Sequence, residues 1–345
     1  MATQQGPLRD HGARPPGYGN GEDPPPPSSA GPNSAPASQS VADDAGKHGF
    51  LWRVGGLVKT VRPHQWVKNV FVLAPVFFAK DLFEPRLLLR AIGAFGVFCL
   101  LAGAVYTIND IADAEADRHH PVKRNRPIAS GRVPIRSAKI LAVALMILAL
   151  GGAAYGPISF FIVAAAYFLQ NVAYSFKLKQ YPYIDVVLIA LGFVLRVIGG
   201  GYGTHIHVSG YLLACTALLA LFLGFGKRRH ELAADRARAK IQRAALSGYT
   251  TRGLDLALTL TGILTIGTYF AYTVDDATRK FFGSDRLWLT TIFVVLAVLR
   301  FLHLVRSRPR AESPTQEMLR DGPFVAAVLV WVMVVIFIVY NLRPS

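Results

Sequence analysis

Apolar residues along this chain come in blocks, separated by short polar or charged stretches. A helix that crosses the bilayer core needs ~20 mostly apolar residues. Runs of that kind follow one another at 67–83, 87–108, 137–155, 158–176, 184–203, 211–226, 254–273, 287–304 and 324–342. The pattern predicts an all-α integral membrane protein, a bundle of about nine transmembrane helices. The first run is the least regular, with Lys68 and Asn69 at its start and Pro75 within it.

Residues 1–47 break the pattern. They are rich in Pro, Gly, Ser and Ala, including Pro24-Pro25-Pro26-Pro27, and lack the apolar core of a signal peptide. Such a stretch cannot bury enough surface to offset its chain entropy, which predicts a disordered tail ahead of a membrane domain at 48–345. The whole chain is 52% hydrophobic and 17% charged, against about a quarter charged in a soluble domain. Its two cysteines, Cys99 and Cys215, lie inside apolar runs and read as buried thiols, not as a disulfide or a metal site.

The formal net charge is +16. Nucleic-acid binding would gather Lys and Arg on one soluble face, whereas a polytopic membrane protein places them in alternate loops. They alternate here. Segments 118–139, 177–179, 227–252 and 306–320 are basic, while 156–157 and 204–209 contain no Lys or Arg. Charge is therefore mostly topology: the partner is a lipid bilayer and no nucleic acid. With an odd number of spans, the N-terminus lies in the cytoplasm and the C-terminus outside, in the inner (plasma) membrane.

Chemistry concentrates at the cytoplasmic end of the second run. Asn109-Asp110-Ile111-Ala112-Asp113-Ala114-Glu115-Ala116-Asp117 spaces three aspartates at intervals of three and four, one face of a helix. Carboxylates crowded at a membrane boundary repel and lose hydration, so a cation must compensate. Mg²⁺ fits, being held by one or two carboxylates plus substrate phosphates and water. Lys123, Arg124 and Arg126 follow, in Lys123-Arg124-Asn125-Arg126-Pro127-Ile128-Ala129-Ser130-Gly131. Acids that grip a metal, followed by bases that grip phosphate oxygens, describe a diphosphate site.

The two stretches together resemble the first signature of the UbiA-type membrane transferases, and the resemblance runs from about residue 58 to 342. It implies a helical bundle with an interior cavity, an Mg²⁺ cofactor and an active site facing the cytoplasm. Many members carry a second acidic pair after the fourth span. Here that position reads Tyr174-Ser175-Phe176-Lys177-Leu178-Lys179-Gln180-Tyr181-Pro182-Tyr183-Ile184-Asp185, with a single acid. With Arg62-Pro63-His64-Gln65-Trp66-Val67-Lys68-Asn69 ahead of the first span, this is similar to the branch that transfers phosphoribosyl to decaprenyl phosphate. What that branch implies is a donor, 5-phosphoribose 1-diphosphate, and an acceptor, a polyprenyl phosphate, in arabinan precursor synthesis for the cell wall. The alternative is a prenyltransferase joining a prenyl diphosphate to an aromatic acceptor. A transporter would need polar groups near mid-membrane instead.

On the phosphoribosyl reading, Asp110, Asp113 and Asp117 hold the metal, and Asn109 orients the diphosphate or a metal-bound water. Lys68, Lys123, Arg126, Lys177 and Lys179 are the candidate phosphate ligands, with Tyr174 and Tyr181 as hydrogen-bond donors. Each basic residue has a plain alternative as a topology determinant. Asp185 opens a span and calls for a second metal or a lysine partner. Lys227-Arg228-Arg229-His230-Glu231-Leu232 opens the longest internal loop; Arg196, within the fifth span, faces the interior or snorkels to its end. His119, His120 and the pair His205 and His207 read as turn and loop residues. A homo-oligomer is compatible with such a bundle.

Overall fold

The structure, a computed structural model, describes residues 49–79, 84–234, 244–307, 317–318 and 320–341. The tail expected at 1–47 lies outside them, as do parts of the basic loops after 234 and 307. Among the described residues every regular element is helical. Seven helices are long and apolar enough to cross a membrane. They are α3 (Pro85–Ala112), α5 (Ile135–Ala154), α6 (Ile158–Phe176), α7 (Ile184–Thr204), α8 (Gly210–Ala234), α9 (Thr251–Val274) and α11 (Thr291–Ser307) with the 3-10 turn before it at Leu287–Thr290. Short helices α4 (Ala114–Arg118) and α10 (Asp276–Phe282) lie between them, and α12 (Gly322–Asn341) is a further apolar helix.

The first expected span takes a different form. An amphipathic α1 (Phe50–Val61), which the apolar pattern did not predict, precedes a 3-10 helix at Pro63–Leu73 and a short α2 (Ala74–Phe78). The break falls at Arg62, whose φ of 57° and ψ of 60° leave the helical region immediately before Pro63. A 3-10 helix rises about 2 Å per residue, so Pro63–Phe78 covers roughly 30 Å, about the hydrocarbon thickness, with fewer residues than an α-helix needs. Eleven residues of 3-10 helix are long for that conformation. Close packing sustains them: a Cβ built on Gly200 of α7 would fall 1.9 Å from the carbonyl oxygen of Val72. Only glycine lets the two backbones approach this far.

Two large apolar clusters, with three smaller ones, form the core. One joins α3, α5, α6 and the 3-10 segment around Phe98, Leu101, Phe160 and Tyr167. The other joins α8, α9 and α11 to the start of α7 around Phe222, Leu258, Phe301 and Val186. Leu89, Ile147, Leu148, Ile263 and Leu296 point outward and are more than half exposed or close to it, the surface that a lipid solvent covers.

Gly200→Ala should displace the 3-10 segment and lower the thermal midpoint in detergent, at a cost of about 1–3 kcal/mol or more from overpacking. Gly93→Ala is the control, because a Cβ there meets nothing within 4 Å. Equal midpoints for the two variants would show that the close approach is not needed.

Candidate active site

The acidic stretch is almost one helix with a single irregular residue. α3 ends at Ala112, Asp113 takes φ −90° and ψ 0°, and α4 resumes at Ala114. Asp110 and Asp117 remain on one side and are 2% and 3% exposed. Asp113 is turned away to a separate partner, so the three acids expected on one face divide two and one.

Arg126 joins the first two, with Nη1 donating to Asp117 Oδ2 at 2.6 Å and to Asp110 Oδ1 at 3.2 Å. Arg62 Nη2 donates to the same Asp110 oxygen at 2.6 Å. Lys179 reaches Asp113 Oδ1 at 3.0 Å and Asn109 Oδ1 at 3.4 Å, and Asn109 in turn donates to Asp113 Oδ2 at 3.1 Å. Three acids thus face three cations, supplied by three distant stretches of chain, and the cluster is balanced within the protein.

The residues after Arg126 explain how it is aimed. Ser130 N donates to the Arg126 carbonyl and Val133 N to that of Pro127. Gly131 turns the chain at φ 76°, where a side chain would be strained. Ile128, Ala129 and Val133 are buried, and Ile128 and Val133 pack with Ala114 and Ala138. The Pro-Ile-Ala-Ser-Gly part of the motif is therefore an anchor that holds Arg126 over the acids. His120 Nδ1 accepts from the backbone of Val122 and Lys123, a turn role as expected. Arg132 fastens α1 to this loop through two bonds to the Trp52 carbonyl at 2.9 and 2.7 Å.

Asp185 has a different partner from the metal or lysine that its position suggested. It is fully buried, its Oδ2 lies 2.9 Å from Arg228 Nε, and its Oδ1 accepts from the Tyr249 hydroxyl at 2.5 Å. Arg228 also pairs with Glu231. The basic stretch 227–232 therefore continues α8 and turns inward at Arg228 instead of opening a loop. Tyr183, at φ 63°, donates its backbone N–H to the Tyr249 oxygen at 2.6 Å. Burial first, and then the bond to Asp185, push the Tyr249 phenol above its ordinary pKa, so it stays a protonated donor. This node pins one end of the segment that carries Lys179.

The other expected residues are less engaged. Lys68 contacts Gln65 at 3.3 Å and lies within electrostatic reach of Arg196, Arg62 and Lys227. Tyr174 lies within such reach of Arg228. Lys177 and Tyr181 are exposed, and Lys123 is half-buried at the rim. Arg62, Arg228 and Tyr249 were not among the expected site residues. The first two stand inside basic motifs that invited the choice; nothing in the sequence marks Tyr249.

No three His, Cys, Asp or Glu side chains among the described residues make a ready cage for a metal. The oxygen donors nonetheless suit a hard cation that keeps water and substrate oxygens as its remaining ligands. Both arginine contacts to Asp110 fall on Oδ1 and the one to Asp117 on Oδ2, so each carboxylate keeps its other oxygen for a further ligand.

The family model "UbiA prenyltransferase family" matches residues 69–320, and the chain belongs to that family. Within it, the chain is similar to the decaprenyl-phosphate phosphoribosyltransferase of Corynebacterium glutamicum, 33% identical over 89% of this chain and 93% of the relative. The enzyme of the same name from Mycobacterium tuberculosis strain H37Rv is 36% identical over 82% of this chain and 93% of its own length. In fold, the chain is similar to a solved UbiA homologue from Archaeoglobus fulgidus bound to GPP and Mg²⁺. That match has a TM-score of 0.62 at 17% identity and covers 82% of this chain and 99% of the other. The family and the seven apolar helices make this a multi-pass membrane protein.

Arg228→Met should strand a buried Asp185 charge and cost about 3–5 kcal/mol. The pair Arg228→Met with Asp185→Asn should cost clearly less than the sum of the two single changes. Additive losses in detergent unfolding would show that the two side chains act independently.

Proposed function

We propose that the protein transfers a 5-phosphoribosyl group from 5-phosphoribose 1-diphosphate to decaprenyl (polyprenyl) phosphate, giving decaprenylphosphoryl-5-phosphoribose and diphosphate. The observation that carries this reading is similarity along nearly the whole length to relatives of that activity, joined to the Asp110, Asp117 and Arg126 cluster. The product is a precursor for cell-wall arabinan. The site faces the cytoplasm, where a water-soluble donor is at hand, while the acceptor enters from the bilayer.

Asp110 and Asp117, with Asp113 and Asn109 beside them, would hold a Mg²⁺ ion. When bound, the ion neutralises the charge that develops on the diphosphate. Arg62, Arg126 and Lys179 stand around the same carboxylates and supply donors to phosphate oxygens. Arg126 can make two parallel bonds, whereas Lys179 acts as a point charge. The bond from C1 to the diphosphate oxygen breaks, and its electron pair leaves with the diphosphate. An oxygen of the lipid phosphate then bonds to C1 from the opposite face, with inversion. The attacking phosphate is already anionic near neutral pH, so the step needs neither a strong general base nor a covalent intermediate on the protein. Asp185, spent on Arg228 and Tyr249, supports the Lys179 segment and does not meet the reacting atoms.

Asp110→Asn and Asp117→Asn should each reduce transfer by about a thousandfold, the scale of losing a group that stabilises transition-state charge. Membrane insertion should be unchanged. The assay pairs labelled 5-phosphoribose 1-diphosphate with polyprenyl phosphate in one tube, and prenyl diphosphate with an aromatic acid in another, with and without EDTA. EDTA-sensitive label in the lipid phase of the first tube alone is the expected result. Product only in the second would replace the donor assignment, and near-normal activity in both variants would remove the acids from the chemistry.

A further inference from the structure

Below the carboxylate cluster the interior of the bundle stays polar. Arg62, which holds Asp110, lies 5.2 Å over the ring of Tyr106, a residue within electrostatic reach of Arg196 and Tyr167. Arg196 stands twelve residues into α7, about 18 Å of helix rise from Ile184. It is 6% exposed.

Every hydrogen-bond partner of this guanidinium is neutral. Nε donates to Asn69 Oδ1 at 2.7 Å, Nη2 to the Tyr167 hydroxyl at 2.7 Å, and Nη1 to the Gly192 carbonyl at 3.0 Å. The rings of Tyr167 and Phe193 lie 4.8 and 5.1 Å from it. These bonds use three of its five N–H groups. Among the described residues no carboxylate pairs with Arg196, and Lys68, which lies within electrostatic reach of it, carries a charge of its own sign. A charge at membrane depth is costly, and one without a counter-charge marks a place where an anion binds.

Its neighbours on the Gly192 side are polar. A Cβ built on Gly192 would lie 3.6 Å from Arg196 Nη1, 3.6 Å from Gln170 Oε1 and 4.0 Å from Asn171 Nδ2. These are ordinary contact distances, and the atoms packed on this side of the guanidinium are polar where an isoprenoid chain would call for apolar ones.

We propose that Arg196, with Lys68, forms a phosphate-monoester subsite separate from the carboxylate cluster. The subsite rests on the substrates assigned above, because both carry such a group: the donor has its 5-phosphate and the acceptor its lipid phosphate. An uncharged or purely apolar substrate half would leave Arg196 uncompensated.

The test is direct binding to the detergent-purified full chain, which needs no turnover and so stands apart from the transfer assay. The probes are pyrophosphate with Mg²⁺, ribose 5-phosphate, and a short-chain polyprenyl phosphate. Arg196→Gln should weaken ribose 5-phosphate by about tenfold or more, the scale of one lost charge-assisted contact, with pyrophosphate unchanged. The same selective loss confined to polyprenyl phosphate would assign the subsite to the lipid acceptor. Lys68→Ala, at an exposed position, should show the same selectivity and serves if Arg196→Gln does not fold. Unchanged affinities in both variants, parallel loss of all three probes, or no binding of either monoester to the unsubstituted chain would overturn the proposal.

Discussion

Asp110 and Asp117 lie buried within two turns of each other at the end of a membrane-spanning helix, and that arrangement is unstable on its own. Two carboxylates there repel and have lost most of their water. Arg126 bridges them and Arg62 adds a second cation to Asp110. Much of the surrounding structure follows from this need. The loop after α4 turns at Gly131 and buries Ile128 so that Arg126 returns over the acids. The helix before the first span stops at Arg62, in a left-handed conformation, so that its guanidinium meets Asp110. On the function proposed above, the cations that stabilise the cluster are also the groups that would receive phosphate oxygens, so stability and ligand binding would draw on one set of charges.

A second node, built around Asp185, works differently. Asp185 and Arg228 pair away from water, Tyr249 donates to Asp185, and its hydroxyl oxygen holds the backbone N–H of Tyr183. A buried pair of this kind adds little net stability but penalises any rearrangement that separates it. Its effect is on position: the stretch from Lys179 to Tyr183 runs between a tethered end and an acid of the first cluster.

Much of this was legible in the sequence. Apolar runs located six of the seven long helices to within a few residues, and the start of the seventh, α8, because hydrocarbon thickness dictates their length. The acidic and basic motifs marked one end of the bundle, and the structure brings Asp110, Asp117, Arg126, Lys179 and Asn109 together there. The failures have physical causes. Pro63, Pro75 and the contact of Gly200 with Val72 turned the first span into a 3-10 helix, and backbone proximity between distant segments leaves no periodic trace. Asp113 rotated off its neighbours' face because one residue departs from helical geometry. The partner of Asp185 was misjudged because α8 continues past Gly226, carrying Arg228 inward where composition suggested a loop. Tyr249 follows a stretch with no pattern at all.

α7 contributes to both of the large apolar clusters, through Leu195 on one side and Val186 on the other. Asp185 sits one residue from Val186, at the seam, and its ion pair with α8 involves no substrate-facing group. The two clusters are thus tied at the seam by a buried ion pair, and parting α7 from α8 there would strand a charge away from water. Any opening that leaves this pair intact must lie between other helices of the bundle.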